Sequence, residues 1–437
     1  MKQVMIVLGI LLLAPFGAFA QSEGRLWSLQ DCLDYALEHN IQIRKTKIAQ
    51  LSGTEDTEQA KARLFPSLSA SVSQGFTNYP SSDVQTNNSY SGSYNVSANW
   101  TLFDAGKRSN AIKQQEIQDE MNVLAIEQSE DDIRISIVQT YLQVMYAMES
   151  VRVNENTVLV SEAQRDRAEE LLRAGSISPV DFAQMESQFS TDKYQLVVSQ
   201  NNLENYKMQL KQLLELDILD DMQLVELTLS DNEVLKILPD KESVYNTSLA
   251  VMPEVRNSVL AIDQSELEIK KAKGGYWPTI SLNAGVGTGH LSGSDASFGN
   301  QVWNRLNENI GLSINIPIYS NRENKTAVNK ARYSLSTSQL ELLNTQKALL
   351  REVEGVYLDA TSAQSQYISA AERLNYVKES YNLTEQQFFL GMKNTVEMLT
   401  EKNNLLAAQQ ELLQTKYMAV MSIQLLNIYQ KQPIDIN

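Results

Sequence analysis

In the stretch NVSANWTLFDAG, residues 95–106, polar and apolar side chains alternate strictly from Asn95 to Leu102. A period of two predicts a β-strand with one apolar face and one polar face. Three further stretches share this rhythm, at residues 67–72, 280–286 and 310–318. These four strands stand out because apolar positions elsewhere in the chain recur at helical spacing, as in the long segments 107–174 and 323–390.

The polar face of the four strands is built mostly from serine, asparagine and glycine, whereas a strand in a soluble sheet usually carries lysine, glutamate or threonine there. An apolar face opposite small polar residues, over about 10 residues, is typical of a tilted transmembrane strand between lipid and water. The alternative is a soluble sandwich. The predicted lipid-facing residues are Leu68, Val72, Val96, Trp100, Leu102, Ile280, Leu282, Leu312, Ile314 and Ile316.

Aromatic residues mark the points where predicted strands meet helices. Such positions favour a belt at the membrane interface, here at the helical end of the strands. The predicted belt residues are Phe65, Phe103, Trp277 and Tyr319. Four strands are too few to enclose a water-filled pore, and open sheet edges cannot face lipid. We therefore expect a barrel shared between copies of the chain, with three copies supplying twelve strands.

The chain contains two copies of one plan. ARLFPSLSAS around Pro66 is repeated as GGYWPTISLN around Pro278, 212 residues later. Each copy is predicted to run from a helix (28–64 or 243–275) through two strands into a very long helix, a glycine turn and a final helix. Each long helical run would extend about 100 Å. The two shorter helices of a copy would stack end to end beside it. A simple helical bundle is the alternative for the helices, but it leaves the strands unexplained.

The first residues, MKQVMIVLGILLLAPFGAFA, have the pattern of a signal peptide with a cleavage site after Ala20. An uncleaved anchor is the alternative. We divide the rest into a first repeat (21–216), an equatorial linker (217–242), a second repeat (243–430) and a C-terminal tail (431–437).

The formal net charge of −16, without a long basic run, disfavours nucleic-acid binding. Cys32 is the only cysteine, so no internal disulfide is possible, and we expect it to be a small buried side chain. His39 and His290, the latter expected in a polar loop, have no partner at metal-ligand spacing. No nucleophile or phosphate-binding motif occurs. We therefore predict no catalytic residue, cofactor or metal, and we predict that the protein is not an enzyme.

The glycine turns carry the clearest local signals. In RAGSISPVD, Gly175 is predicted to end one helix, while Ser178, Pro179 and Asp181 begin the next as N-cap, first and third residues. The second copy repeats this arrangement with Gly391, Asn394 and Glu397. The carboxylates at these positions are explained by helix capping alone. A second interpretation is that threefold symmetry gathers them into a ring at a tunnel mouth.

Four stretches of the chain are distinctive: LFPSLS before the strands, LFDAGKR after them, and LLRAGSISPVDFAQME and FFLGMKNTVEMLTEKNNLLAAQQEL at the turns. In these stretches and in their order, the chain resembles the TolC family of outer-membrane efflux proteins. The resemblance covers nearly all of the mature chain. It implies a homotrimer in outer-membrane lipid, with a 12-stranded barrel continuing into an α-helical periplasmic tunnel. It also implies docking to a periplasmic adaptor protein and to an inner-membrane RND or ABC transporter. The second copy departs from the family by reading YSNRENK, without a glycine after the strand.

The expected function is a passive channel-tunnel for efflux or type I secretion, and the alternative is a periplasmic coiled-coil adaptor or structural spacer. The resemblance implies a gate in which Lys393 bonds Asp181, with Glu397 and Glu401 forming an anionic constriction. It also assigns adaptor docking to the tip turns, at Gly175, Ser178, Pro179, Gly391 and Asn394. The sequence does not name the cargo.

Overall fold

The structure, a computed structural model, describes residues 26–80, 88–217, 222–434 and 436. The predicted signal peptide, part of the first strand-to-strand loop and part of the predicted linker lie outside the described residues. The helices are α1 (Leu29–His39), α2 (Ile41–Ala62), α3 (Lys107–Arg173), α4 (Pro179–Leu213), α5 (Asp231–Val234), α6 (Lys241–Val251), α7 (Pro253–Lys273), α8 (Phe298–Asn304), α9 (Glu323–Phe389) and α10 (Thr395–Tyr429). The strands are β1 (Leu26–Trp27), β2 (Ser67–Asn78), β3 (Asn88–Phe103), β4 (Gln223–Leu224), β5 (Thr279–Leu291) and β6 (Asn307–Asn315).

The two halves of the chain repeat the same helix lengths. The long helices α3 and α9 each have 67 residues, and the helices that follow them, α4 and α10, each have 35. At about 1.5 Å per residue, each long helix extends about 100 Å. The mainly helical fold and the long helices are as predicted.

Each long helix lies beside two shorter helices placed end to end. In the first half, Thr57 of α2 donates to Asp119 of α3 at 2.5 Å, and the Arg165 guanidinium of α3 lies 4.6 Å from the Phe189 ring centre of α4. The second half has the same plan, with α7 and α10 packed along α9. The predicted stacking of two short helices beside one long helix is therefore confirmed.

The prediction of one continuous helix at the start of each copy is wrong, because each copy has two helices there. In the first copy the break is at Asn40, whose side-chain oxygen accepts from the backbone N–H groups of Gln42 and Ile43 and so caps α2. Its Nδ2 donates to the Leu213 carbonyl at 3.0 Å, which fastens the start of α2 to the end of α4. In the second copy the break precedes Pro253, because a residue before proline disfavours the helical conformation.

The hydrophobic core lies where the stacked helices meet. Tyr141, in the middle of α3, is fully buried, and its hydroxyl donates to the Val225 carbonyl at 3.2 Å. The side chains packed around it come from α1, α4 and α10, and they include Cys32, which is buried as predicted. Smaller clusters join α6, α7 and α9, and the helix ends near the glycine turns.

The four predicted strands form one antiparallel sheet in the order β2-β3-β5-β6. The two copies are joined through β3 and β5. Strand β6 ends at Asn315, so the predicted strand residue Ile316 lies just beyond it. The predicted polar loop between β5 and β6 contains the short helix α8, and His290, expected in that loop, lies in β5.

Replacing Asn40 tests the junction between the stacked helices. We expect Asn40→Ala to lower the free energy of unfolding by about 0.5–2 kcal/mol, because it removes the cap of α2 and the bond to the Leu213 carbonyl. Asn40→Asp keeps an acceptor for the cap but loses the Nδ2 donor, so its loss should be smaller. Thermal unfolding of the detergent-solubilised protein, followed by circular dichroism, measures both. Equal stability of the alanine variant and the wild type would contradict this role.

Candidate functional site

The sheet register gives the predicted lipid-facing residues a common face. Leu68 pairs with Ala98, Val96 with Val286, and Leu282 with Leu312. The opposite face is polar, and there the hydroxyls of Ser69 and Ser97 lie 2.9 Å apart. The four strands β2, β3, β5 and β6 contain a single formally charged residue, Glu308.

One predicted member of the apolar face is displaced by a β-bulge. The register shifts between Thr101 and Phe103, so Phe103, and not Leu102, stands opposite Ile280. A bulge adds one residue to one strand and redirects the side chains around it. The alternation of the sequence ends at Leu102, because Phe103 is apolar where the pattern calls for a polar residue, but this break alone does not identify a bulge.

The aromatic residues predicted for the helical end of the sheet lie at that end and are exposed. Phe65 and Trp277 come just before β2 and β5, Phe103 ends β3, and Tyr319 follows β6. Trp100 lies beside them and donates from Nε1 to the Leu64 carbonyl at 2.8 Å. The aromatic side chains therefore surround the junction between the sheet and the helices.

At the opposite end of the molecule, both helix hairpins turn at a glycine with a positive φ. Gly175 has φ +71°, and the N–H of Ser176 donates to the Leu171 carbonyl at 2.8 Å. Gly391 has φ +74° in the second hairpin. A Cβ at either glycine would meet no atom within 4 Å, so the backbone conformation, and not crowding, calls for glycine.

Both predicted capping boxes are present at these tips. The Asp181 backbone N–H donates to Ser178 Oγ at 3.1 Å, and Asp181 Oδ2 accepts from the Ser178 N–H at 3.2 Å. In the second tip, Asn394 and Glu397 exchange the corresponding bonds at 2.9 and 3.1 Å. The hydroxyls of Ser178 and Thr395 lower the pKa of Asp181, so this carboxylate is ionised at neutral pH.

Lys393 bonds Glu397 and not Asp181 within one chain. Lys393 Nζ donates to Glu397 Oε1 at 2.7 Å, and this lysine, with the Asn394 backbone N–H, lowers the pKa of Glu397. Glu401 accepts from the Ser380 hydroxyl at 3.0 Å, which ties α10 to α9. The structure thus brings the predicted gate residues Asp181, Lys393, Glu397 and Glu401 to the tip region of one chain.

A buried ion pair near the tips was missed in the sequence. Lys402 Nζ of α10 lies 2.6 Å from Asp192 Oδ2 of α4, and the two side chains are 5% and 3% exposed. Burial lowers the pKa of Lys402, and the bond to Asp192 opposes that shift. The sequence around Asp192 and Lys402 does not distinguish either residue from an ordinary surface charge. Only the packing of the two hairpins brings them together.

Further polar side chains surround this pair and connect all four helices at the same level. Gln188 donates to Asp192 Oδ1 at 2.8 Å. Beside it, Gln164 of α3 donates to the Tyr381 hydroxyl at 2.7 Å and to Glu385 Oε1 at 2.9 Å. Because buried polar groups are costly when unpaired, such a network fixes one arrangement of the two hairpins.

None of the helices in the described ranges combines the length and the apolar character needed to cross a membrane. The same ranges contain no group of three or more histidine, cysteine, aspartate or glutamate residues arranged to hold a metal ion. His39 stacks on Tyr35, with ring centres 4.0 Å apart, and so it has a structural explanation.

The Asp192–Lys402 ion pair can be tested with a single variant and a double variant as its control. Lys402→Ala should destabilise the protein by about 3–5 kcal/mol, because Asp192 is left buried without its partner. The double variant Lys402→Met/Asp192→Leu removes both charges and should be close to the wild type. Chemical unfolding in detergent compares the variants. Equal losses in the single and double variants would mean that side-chain packing, and not charge pairing, determines the stability here.

Comparisons with known proteins agree with this architecture. The sequence matches the profile of the family described as outer membrane efflux protein over residues 32–215 and again over 244–427. It is 22% identical to the outer membrane protein TolC of Salmonella enteritidis over 430 residues, covering 95% of this chain and 84% of that protein. It is also 22% identical to the proteases secretion protein PrtF of Dickeya chrysanthemi, covering 94% and 88% of the two chains.

Solved structures show the same fold. The crystal structure of CusC, described as a transmembrane channel, matches with a TM-score of 0.80 at 16% identity, covering 93% of this chain and 92% of that one. The relatives are channels and not enzymes, and they match along nearly the whole chain, which favours a channel over an adaptor or spacer. The protein is located in the outer membrane. The chain therefore belongs to the outer membrane efflux protein family, and it is an outer-membrane channel protein of an efflux or secretion system.

Proposed function

We propose that three copies of this chain form one channel, in which twelve strands close a barrel in the outer membrane and the long helices form a periplasmic tunnel. The observation that carries the proposal is that the two unpaired edge strands of the sheet are joined in the chain to helices with exposed apolar stripes, β2 to α2 and β6 to α9. In this arrangement residues 217–242 and the C-terminal end lie at the equator of the tunnel, and the mature chain begins at Gln21.

The sheet of one chain has two edges, β2 and β6, with no partner strand among the described residues. An edge strand presents a row of unpaired backbone N–H and C=O groups, which lipid cannot satisfy. Pairing β6 of one copy with β2 of the next satisfies both edges and closes the ring. Because β2 follows α2 and β6 leads into α9, this pairing would bring α9 of one copy beside α2 of the next.

The helices next to these edges carry the apolar surface that such contact requires. On α9, exposed apolar residues fall within about 100° of the helix circumference. They are Tyr333, Leu340, Leu343, Leu350, Leu358, Ile368, Tyr376 and Leu383. A similar stripe follows the stack of α4 and α2, at Val180, Tyr194, Val197, Met208, Ile41, Ile48 and Leu51.

The two stripes also match in their distance from the sheet and from the tips. Leu340 lies 17 residues after the start of α9, about 26 Å from the sheet, and Ile48 lies 14 residues before the end of α2, about 21 Å from it. Near the tips, Tyr376 lies about 20 Å before the end of α9, and Tyr194 lies about 22 Å after the start of α4. Matching positions along about 100 Å support contact along the whole length of the helices.

In this channel the small polar face of the sheet lines a water-filled passage, and transport through it is passive. The energy would come from an inner-membrane transporter of the RND or ABC class, connected through a periplasmic adaptor that docks at the tip turns. The docking positions are those of the turns, Gly175, Ser178, Pro179, Gly391 and Asn394. In the part of the chain that the structure describes, no feature of the proposed passage distinguishes efflux of small molecules from secretion of proteins.

The proposed gate is at the tips, where Lys393 bonds Asp181 of a neighbouring copy in the closed state and Glu397 and Glu401 narrow the passage. The pair between Lys393 and Glu397 within one chain supports this location, since it holds the lysine at the mouth. Exposed ion pairs contribute only about 0–1 kcal/mol each, so several contacts around the ring would be needed to hold it closed.

Photo-crosslinking tests the trimer and its interface. A benzoylphenylalanine at Leu340, on the apolar stripe of α9, should give dimer and trimer bands whose cross-linked peptide comes from α2. Ser334 is exposed on the same helix but lies off the stripe, and the same substitution there should give no such band. Cross-links from Ser334 alone, or a protein that is monomeric by light scattering, would overturn the proposed assembly.

Conductance tests the gate. Lys393→Glu replaces attraction with repulsion at each tip, so single channels in planar bilayers should conduct more than the wild type. Lys330→Glu makes the same charge change at an exposed site near the start of α9, far from the tips, and should leave conductance unchanged. Unchanged conductance of an intact Lys393→Glu trimer would leave Asp181 and Glu397 as helix caps only.

A further inference from the structure

The short helix α8 lies at the end of the sheet opposite the helical tunnel. It occupies the connection between β5 and β6 and is fastened to β5 by side-chain bonds. The Leu291 N–H donates to Gln301 Oε1 at 2.9 Å, and Gln301 Nε2 donates to the Ala296 carbonyl at 2.9 Å. The Thr288 hydroxyl donates to the Val302 carbonyl. These bonds fix α8 against the sheet.

The face of the sheet that α8 covers follows from the alternation of β5. Thr288 and His290 have the same parity as Leu282 and Val286, so their side chains project from the apolar face. Phe298 of α8 contacts His290 on that face, with ring centres 4.9 Å apart. Helix α8 therefore lies outside the predicted water-filled passage, on the side proposed to face lipid.

His290 joins α8 to an aromatic cluster on β3. Its ring centre lies 5.4 Å from that of Tyr90 and 6.0 Å from that of Tyr94. The imidazole lies across Gly92, where a Cβ would come within 2.2 Å of the ring. His290 is 9% exposed, and its Nδ1 has no hydrogen-bond partner among the described residues. The histidine thus serves here as part of an apolar, ring-lined surface.

Large aromatic side chains remain exposed around this cluster. Phe76 pairs across the sheet with Tyr90 and is 68% exposed, and Trp303 of α8 is 76% exposed. Phe76 lies 11 residues beyond Phe65, which belongs to the aromatic belt at the helical end. At about 3.3 Å per residue and a strand tilt of 35–45°, the two aromatic levels are about 25–30 Å apart, which matches the hydrocarbon thickness of a bilayer.

We propose that Phe76, Tyr90, Phe298 and Trp303, which we call the outer aromatic patch, dock into the outer leaflet of the membrane, with α8 lying at the boundary between headgroups and acyl chains. The patch continues the apolar face of the strands, where Glu308, opposite Val286, is the one formally charged residue of β2, β3, β5 and β6. Tryptophan and tyrosine favour this boundary. Arg305, exposed just after α8, is suitably placed to meet lipid phosphate. The inference rests on the proposed membrane orientation of the sheet.

The four tryptophans of the chain allow a direct test. Four variants each retain one tryptophan and carry phenylalanine at the other three positions. They are reconstituted in phosphatidylcholine vesicles with or without brominated acyl chains, which quench nearby tryptophan. Trp303 should lose a large part of its emission in brominated vesicles, and its emission maximum should lie to the blue of a water-exposed tryptophan. Trp27, buried in the helical core, should not be quenched.

Trp277, in the aromatic belt at the helical end, distinguishes the proposed outer aromatic patch from the proposed membrane orientation of the sheet. Quenching of both Trp277 and Trp303 supports the patch. Quenching of Trp277 alone overturns the patch but leaves the membrane orientation of the sheet intact. In that case, blue-shifted Trp303 emission means that a second copy of the chain covers α8, and red-shifted emission means that α8 lies in water. Quenching of neither tryptophan overturns both proposals.

Discussion

The unpaired edges of the four-stranded sheet constrain the rest of the molecule. Strands β2 and β6 each leave one side of their backbone without a partner among the described residues. In water these groups would be hydrated, but in lipid each unpaired group costs several kcal/mol. The sheet can therefore remain in a membrane only if another chain completes it. In the proposed assembly, the same requirement determines which helices of neighbouring chains meet, because α2 leads into one edge strand and α9 follows the other.

For symmetric copies to fit along their whole length in the proposed assembly, the helices have to be long and equal in both repeats. Local capping achieves this. Asn40 and Met252 break the shorter helices at positions 212 residues apart, and Gly175 and Gly391 end the long helices at positions 216 apart. Each break allows the shorter helices to lie end to end along one continuous long helix. A few capping residues thus determine the length of the helices, and in the proposed assembly the apolar stripes determine which faces meet.

Much of this plan could be predicted from the sequence, because each feature is periodic or repeated. Alternation identified the strands, and the RAGSISPVD turn identified its own caps. The long helices were identified by long runs without proline, in which Gly355 is the one glycine. What the sequence did not indicate depends on partners distant in the chain. Asn40 looks like an ordinary helical residue until Leu213 is placed beside it, and the Asp192–Lys402 pair exists only because two hairpins pack together. The bulge after Thr101 and the helix α8 likewise depend on pairing with β5.

The charges at the tips bear on the free energy of the proposed gate. Glu397 uses one carboxylate oxygen for Lys393 and the other for the Asn394 N–H, so its charge is compensated within its own chain. No cation pairs with Asp181 among the described residues, and hydroxyls and the backbone hold it ionised. Moving Lys393 from Glu397 to Asp181 of a neighbour exchanges one exposed ion pair for another, and each contributes only about 0–1 kcal/mol. The two arrangements are therefore close in free energy, and an adaptor that binds the tips would need only modest binding energy to favour one of them.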